Sequence, residues 1–199
     1  TEVGNLPNNR VIDNQYGKLV NQKANYLLGQ PFVVETDHEG YAGYLRQVFD
    51  KRFMKTLKNA GKMAMNNGIA WLYPFHDGEG GFSFRLFPGY EVLPFWKDRE
   101  HTVLDFAVRL YLAECYEGTV LRLIEKVEVY DLRGVHRFVL DGGLLFPDVG
   151  LEGEAVSVPH AVVSGADGAV MGLNWQRIPL IPIKYNEQEL PLLNRVKTL

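Results

Sequence analysis

The sequence of 199 residues contains one cysteine, Cys115. A disulfide within the chain and a cysteine-based zinc site are therefore excluded, and a reducing, intracellular site of synthesis is favoured. No apolar run approaches the roughly 18–20 residues that a membrane-spanning helix needs. The first residues also lack the charged region and apolar region of a secretory signal peptide. These absences favour a globular protein with no disulfide and no membrane contact.

The sequence also lacks an excess of either charge. It has 21 basic and 24 acidic residues, so its formal net charge is −3. This balance gives no overall attraction to nucleic acid or to an anionic membrane, and any such contact would have to be local. Hydrophobic residues make up 46% and charged residues 23%, which is typical of a folded protein. The length suits one domain or two small ones.

An amphipathic helix is predicted near the start, over Asn9–Leu28. Asn8 or Asn9 is expected to cap its first turn, because an amide oxygen there accepts a hydrogen bond from a free backbone N–H. At the other end, Gly29 is expected to adopt a left-handed conformation, and Pro31 prevents the helix from continuing. The apolar side recurs at helical spacing, at Ile12, Tyr16, Leu19, Val20, Ala24 and Leu27.

A second helix is predicted over Tyr41–Asn66, ending at a left-handed Gly68. From Ile69 onward the periodicity changes to that of mostly antiparallel strands, which predicts an α+β fold. The Gly- and Asp-rich "HDGEGG" predicts a hairpin between "IAWLYPF" and "FSFRLF", and the prolines of "IPLIPIKYN" predict an edge strand. "DGGLLFPD" is read as a turn and "GADGAVMG" as a loop. The other strand candidates are "YEVLPFW", "VLDFAVRLYLAE", "VLRLIEKVEVYDL", "HRFVLD" and "EAVSVPHAVV".

No group of residues carries a recognisable catalytic, cofactor-binding or metal-binding pattern. His76 and Asp77 lie with Glu79 in a glycine-rich turn, which is a poor scaffold for a metal and is better read as a solvated turn. The histidines have no metal-ligand spacing, and Cys115 is better read as a small apolar residue than as a nucleophile. The glycines match neither a phosphate loop nor a dinucleotide fingerprint, and no serine lies in a nucleophile elbow. We therefore predict a non-enzymatic protein without a cofactor.

Four lysines form a stripe along the second predicted helix, because their spacings of 4, 3 and 4 residues keep them on one face. A solvated helix face is the simplest interpretation. The functional alternative is an electrostatic contact with an acidic neighbour, namely another subunit. Phosphate binding is a weaker alternative, because the face has no interleaved aromatic residues. The candidate subunit-contact residues are Lys51, Lys55, Lys58 and Lys62.

Several stretches resemble phage portal proteins, the head–tail connectors of long-tailed phages. The first helix opens with "NNRVID" and ends in "YLLGQPF", as is typical of that family. "AMNNGIAWLYPF", "RLFPGYEVLPFW", "DFAVRLYL" and "VEVYDLRGVHRFVLDGG" follow in the family's order. "RIPLIPIKYNEQE", over Arg177–Glu189, is similar to the element that leads into the family's stem helix. The resemblance covers nearly the whole chain, and the order of the motifs is more specific than any one of them.

The resemblance implies the wing of a portal subunit, with residues 1–68 as its helical portion and 69–199 as its β-rich portion leading to the start of a truncated stem. Its implied partners are copies of itself in a ring, which is a dodecamer at full length, together with capsid or scaffold proteins, head-completion proteins and the terminase motor. Double-stranded DNA would contact family regions that this sequence does not include. The implied location is the virion portal vertex, after assembly in the host cytoplasm. The wing alone is expected to be a monomer or weak oligomer.

Two other interpretations stay open at this point. A non-enzymatic interaction domain from another phage or bacterial assembly would share these compositional features. A hydrolase or nuclease would have to build its site from scattered residues, namely Asp77, Glu79, His101 and Asp105.

Overall fold

The computed structural model of the chain describes residues 14–76, 81–149, 156–164 and 168–197. Helices α1 (Gln15–Leu28), α2 (Glu39–Val48) and α3 (Lys51–Asn67) come first, and a short α4 (Leu193–Val196) lies near the end. The part between them is built from antiparallel strands, so the predicted α+β fold is confirmed. No helix in the described ranges is both long and apolar enough to span a membrane. The strands are β1 (Ile69–His76), β2 (Phe82–Pro88), β3 (Val92–Trp96), β4 (Leu104–Glu117), β5 (Val120–Asp131), β6 (Gly134–Asp141), β7 (Leu144–Pro147), β8 (Ser157–Val158), β9 (Ala161–Ser164), β10 (Val170–Leu173) and β11 (Ile181–Lys184).

The ends of α1 differ from the prediction. The proposed caps Asn8 and Asn9 lie outside the described residues, and α1 begins after Asn14, whose side-chain oxygen accepts a 2.7 Å hydrogen bond from the Gly17 N–H. The left-handed conformation predicted for Gly29 is wrong, since its φ is −82° and its ψ −22°. A side chain at Gly29 would collide with the Asn25 carbonyl oxygen. Close packing on the preceding turn, and not a positive φ, therefore accounts for this glycine.

The second predicted helix, Tyr41–Asn66, is two helices in the structure. The chain leaves helical geometry at Phe49, and the Asp50 side chain caps α3 by accepting a 2.8 Å hydrogen bond from the Phe53 N–H. The apolar periodicity runs through this break because Phe49 and Phe53 still pack together, with ring centroids 4.9 Å apart. The end of α3 was predicted correctly, since Gly68 has a φ of +88°.

The strands β11, β1 and β2 form a three-stranded sheet in that order. The predicted hairpin between β1 and β2 is confirmed, and β11 is an edge strand as its prolines indicated. The helix α3 packs against this sheet, with Phe53 of α3 against Phe84 of β2 at 4.7 Å between ring centroids.

A second, six-stranded sheet has the order β3-β4-β5-β6-β7, and β8 also pairs with β6. The segment "DGGLLFPD" was predicted as a turn, but only Gly142 and Gly143 turn the chain, and the next four residues form β7. Part of "GADGAVMG" was likewise missed, because Val170–Leu173 pairs with β9 as β10. Residues 165–167 of that segment lie outside the described ranges. Both missed strands are only four residues long, and neither alternates apolar with polar residues, which is the pattern that identifies a half-buried strand.

The two sheets pack face to face around the main core. Trp71 and Phe87 from the three-stranded sheet are buried against Ala107 and Tyr130 from the six-stranded sheet. Alternation along β1 places Trp71 on this inner side and the buried Leu72 on the side of α3. The molecule therefore has three layers, namely the helices, the three-stranded sheet and the six-stranded sheet. A smaller core joins α1 and α3 through Val20, Ala24, Met65 and Leu192.

Candidate interaction surfaces

The lysine stripe, Lys51, Lys55, Lys58 and Lys62, lies on one side of α3. The first two side chains are exposed and the other two are half-buried. The stripe faces outward because the opposite side of α3 is buried in the core through residues such as Phe53, Ala60 and Ala64. Within the described parts of the chain, none of the four lysines has an ion-pair partner. The stripe thus carries four uncompensated positive charges that are available for contact.

The residues from which a catalytic site would have to be built do not come together in the described structure. His101 contacts Glu189 at 2.9 Å, whereas Asp105 pairs with Lys97 at 3.6 Å. Asp77 and Glu79 lie outside the described residues. Among the residues that the structure describes, no group of three or more His, Cys, Asp or Glu side chains is placed to hold a metal ion.

His101 and Glu189 belong to a structural clamp. The Glu189 carboxylate also pairs with the Lys184 ammonium group, with 2.8 Å between Nζ and Oε1. The His101 ring stacks on the Trp96 ring at 5.1 Å between centroids. Burial raises the pKa of Glu189, but the hydrogen bonds from Lys184 and His101 outweigh it and hold that pKa below its ordinary value. The clamp therefore joins the segment after β11 to the segment that connects β3 and β4.

A buried arginine network joins the two sheets, and sequence reasoning missed it. The Arg109 guanidinium lies between the rings of Phe87 and Tyr111, at 3.8 and 3.9 Å from their centroids. It also pairs with Glu91 at 2.9 Å and Glu128 at 3.1 Å. The one available signal was an arginine at an inward-facing position, two residues from the buried Ala107.

The tyrosines around this network stay neutral. Burial and the Glu128 carboxylate raise the pKa of Tyr111 to about 12, and the same two causes raise that of Tyr130 further. The Tyr130 hydroxyl donates a 2.7 Å hydrogen bond to Glu128. With its carboxylates accepting from an arginine and from hydroxyl groups, the network is suited to holding strands together, since buried charges need such partners.

His160 joins the two ends of the β9–β10 pair. The Nδ1 atom of its buried ring accepts a hydrogen bond from the Trp175 backbone N–H at 3.2 Å, and the backbone N–H of His160 donates to the Asn174 side-chain oxygen at 3.0 Å. Burial lowers the pKa of His160, an effect that the carbonyl and carboxylate of Asp131 partly oppose. The imidazole is therefore best accommodated in its neutral form.

The outer side of the six-stranded sheet is apolar, and no described part of the chain covers it. Strand pairing places Leu112 of β4, Glu125 of β5, Leu140 of β6 and Leu145 of β7 in one row across this side. We call its large exposed side chains the open sheet face; each is 39–68% exposed, although smaller neighbours such as Val127 are buried among them. The open sheet face consists of Leu93, Phe95, Leu110, Leu112, Tyr116, Leu121, Leu123 and Leu145.

A second apolar surface lies on the helices. It runs from the end of α1 through the segment before α2 and into α2 itself. We call it the helical patch, and its members are 42–88% exposed. Phe32 anchors it by packing on Phe49 and Phe53, at 5.4 and 6.1 Å between ring centroids. The helical patch consists of Tyr26, Leu27, Phe32, Val33, Val34, Tyr41 and Tyr44.

Comparisons with known proteins agree over almost the whole chain. The sequence model of the family described as "Phage portal protein, SPP1 Gp6-like" matches residues 2–199. The portal protein of Bacillus phage SPP1 is 30% identical over 192 residues, which is 96% of this chain. The same match covers 36% of that portal protein, so the chain spans about a third of this relative's length.

Proposed function

This chain belongs to the family of SPP1 Gp6-like phage portal proteins, and from that premise we propose that it forms the wing of a portal ring subunit. The family inferred from the order of the sequence motifs is thereby confirmed. The observation that carries the proposal is the match over residues 2–199, which leaves no part of the described fold to another family. The proposed ring lies at the capsid vertex, where DNA passes and the tail connects.

The wing has two proposed portions. Residues 1–68 form its helical portion, and residues 69–199 form its β-rich portion leading to the start of a stem. The packing of α3 on the three-stranded sheet supports one continuous wing built from both portions. The matched third of the SPP1 relative leaves room for a stem and further elements in a protein of that kind.

The proposed partners are those of a ring component. They are further copies of the same subunit (twelve in a complete ring), capsid or scaffold proteins, head-completion proteins and the terminase motor. Double-stranded DNA contacts regions beyond this wing, which agrees with a net charge of −3. The proposed location is the portal vertex of the virion, reached after assembly in the host cytoplasm. The lysine stripe contributes a contact with an acidic surface of a neighbour.

The proposed role is structural and not enzymatic. His101 and Asp105 are each paired with other residues, and the partly buried Arg109 network joins strands. A portal wing presents surfaces to neighbours, and the two exposed apolar surfaces support such a role. The alternative of a hydrolase or nuclease has no observation in its favour.

The test compares this chain with a polypeptide that joins it to the regions of the SPP1 portal protein beyond the match. Association costs an estimated 4–15 kcal/mol in lost freedom of motion, and a wing alone offsets it with few contacts. We expect light scattering after size exclusion to show a monomer or weak oligomer for the chain and a large closed oligomer for the extended protein. An extended protein that stays monomeric at low and high salt would contradict the proposal.

A further inference from the structure

We propose that the open sheet face is covered by the helical patch of a second copy of this chain. The inference rests on the proposed function, because it names the two surfaces through which neighbouring wings meet. A ring requires a heterologous interface, in which one patch of each subunit meets a different patch of the next subunit. The molecule offers two such patches.

The two surfaces lie on opposite sides of the layered body. Helix α3 covers the outer side of the three-stranded sheet through the contact between Phe53 and Phe84, and Phe32 of the helical patch packs on the same Phe53. The inner sides of both sheets meet in the core around Trp71 and Tyr130. The open sheet face is the remaining outer side. One copy can therefore present its helical patch to one neighbour and its open sheet face to the other.

The exposed area is close to what a specific contact between proteins requires. An aromatic side chain contributes roughly 150–250 Å² when fully buried and a leucine somewhat less, so eight half-exposed side chains present on the order of 600 Å². A standard interface buries about 800 Å² on each partner, including a polar rim. The open sheet face is thus large enough to form the apolar centre of an interface between two copies.

The helical layer is basic, whereas the charged residues on the open sheet face are acidic. Residues 14–68, which contain the three long helices, have eight basic and four acidic residues, a net charge of +4. Glu114 and Glu125 lie on the open sheet face itself, and neither has an ion-pair partner among the described residues. The lysine stripe, in the opposite layer, carries the matching charge.

The same carboxylates disfavour a symmetric pairing of two open sheet faces. Such a pairing would bring Glu114 and Glu125 of one copy towards those of the other, and like charges facing each other across an interface are destabilising. A basic helical layer removes that conflict. The charges therefore favour contact between unlike surfaces.

Cysteine cross-linking distinguishes these arrangements. In a Cys115→Ser background, one variant carries Leu112→Cys on the open sheet face and a second carries Val33→Cys on the helical patch, with tags of different mass. The control Val170→Cys lies on β10, outside both surfaces, and its side chain is also well exposed. Because all three positions are exposed, the variants are expected to keep the fold, which circular dichroism checks. Each variant and each pair is treated with a short bismaleimide at high protein concentration.

Mixing Leu112→Cys with Val33→Cys is expected to give a cross-linked dimer that contains one copy of each variant. This dimer should be at least tenfold more abundant than the dimer that either variant forms with the Val170→Cys control. A dominant dimer from Leu112→Cys alone would show that sheet faces pair symmetrically and would overturn the proposal. Mixed products no more abundant than the control would overturn it as well. Either of these outcomes leaves the proposed function standing if the extended protein still forms a closed ring. Light scattering tests ring formation independently of the cross-linking.

Discussion

At the scale of single residues, Arg109 joins the two sheets by ring contacts and by ion pairs. It stacks on Phe87 from one sheet and on Tyr111 from the other, while Glu91 and Glu128 balance its charge. Removing one partner of a buried ion pair leaves the other partners uncompensated, which is far more costly than losing an exposed pair. The network thus makes the stability of the chain sensitive to one position.

Arg109→Met tests this directly. We expect the free energy of unfolding, measured by urea denaturation, to fall by about 3–5 kcal/mol, because two carboxylates lose their counterion in a buried site. The matched control is Arg133→Met, since the Arg133 side chain is 83% exposed in its pair with Asp131. A change of only about 0–1 kcal/mol is expected for the control. Equal effects of the two substitutions would contradict the role given to Arg109.

His160 makes the stability depend on pH in a defined direction. Its pKa is lowered in the folded state, so the unfolded chain binds the proton more readily. The unfolding free energy is therefore expected to fall as the pH drops below about 6.5, the ordinary value for histidine. His160→Gln removes this component of the pH profile, whereas His76→Gln in the β1–β2 hairpin leaves it in place. The unfolding free energy is measured between about pH 5 and pH 7. A pH dependence that the His160 substitution leaves unaltered would refute this expectation.

At the scale of elements, the sequence predicted those parts whose signals are local. The first helix, the stop at Gly68, the β1–β2 hairpin and the edge position of β11 all carry such signals in glycine, proline and apolar spacing. The break at Asp50 was missed because the apolar side continues across it, although an aspartate before a helical run is itself a capping signal. The strands β7 and β10 were missed because neither alternates apolar with polar residues, although each pairs with the strand just before it. The Arg109 network depends on partners that are distant in sequence, namely Glu91 and Glu128. No local pattern reports such partners.

Two glycines give a matched test, because one lies at the end of α3 and the other lies inside α2. Gly68 has a φ of +88°, and a side chain there would collide with the Glu189 carbonyl, so Gly68→Ala is expected to lower the unfolding free energy by more than about 1–3 kcal/mol. Gly43 lies inside α2, where an added Cβ meets no atom within 4 Å. Gly43→Ala is therefore expected to raise the unfolding free energy by about 0.5–1 kcal/mol. Thermal denaturation monitored by circular dichroism measures both changes in unfolding free energy. The two changes must have opposite signs, and equal signs would contradict the expectation.

At the scale of the whole molecule, the chain is a three-layered body with an apolar surface on each outer side. Exposed apolar patches of this size mark interaction sites more often than they mark ordinary surface. The proposed ring would need such surfaces, because each of its subunits has a neighbour on both sides. The lysine stripe alone would contribute little, since exposed ion pairs are worth about 0–1 kcal/mol each.

A structural role also predicts what the purified protein lacks. We expect no hydrolysis of nucleotides or nucleic acid, and no stoichiometric zinc by elemental analysis, because no convergent set of ligands was found in the sequence or among the described residues. About one bound transition metal per chain, retained after dialysis against a chelator, would overturn the non-enzymatic reading. It would direct attention to residues 77–80, which the structure does not describe.

The most direct measurement of the central claim is electron microscopy of the extended polypeptide, in which this chain is joined to the remaining regions of the SPP1 portal protein. The account predicts closed rings with a central channel, with the wing at the periphery and twelve copies in each ring. Adding Leu112→Lys with Leu123→Lys on the open sheet face should lower the fraction of closed rings, whereas Val170→Lys should not. Open filaments, discrete dimers or monomers from the unsubstituted protein would contradict the assignment of this chain as a portal wing.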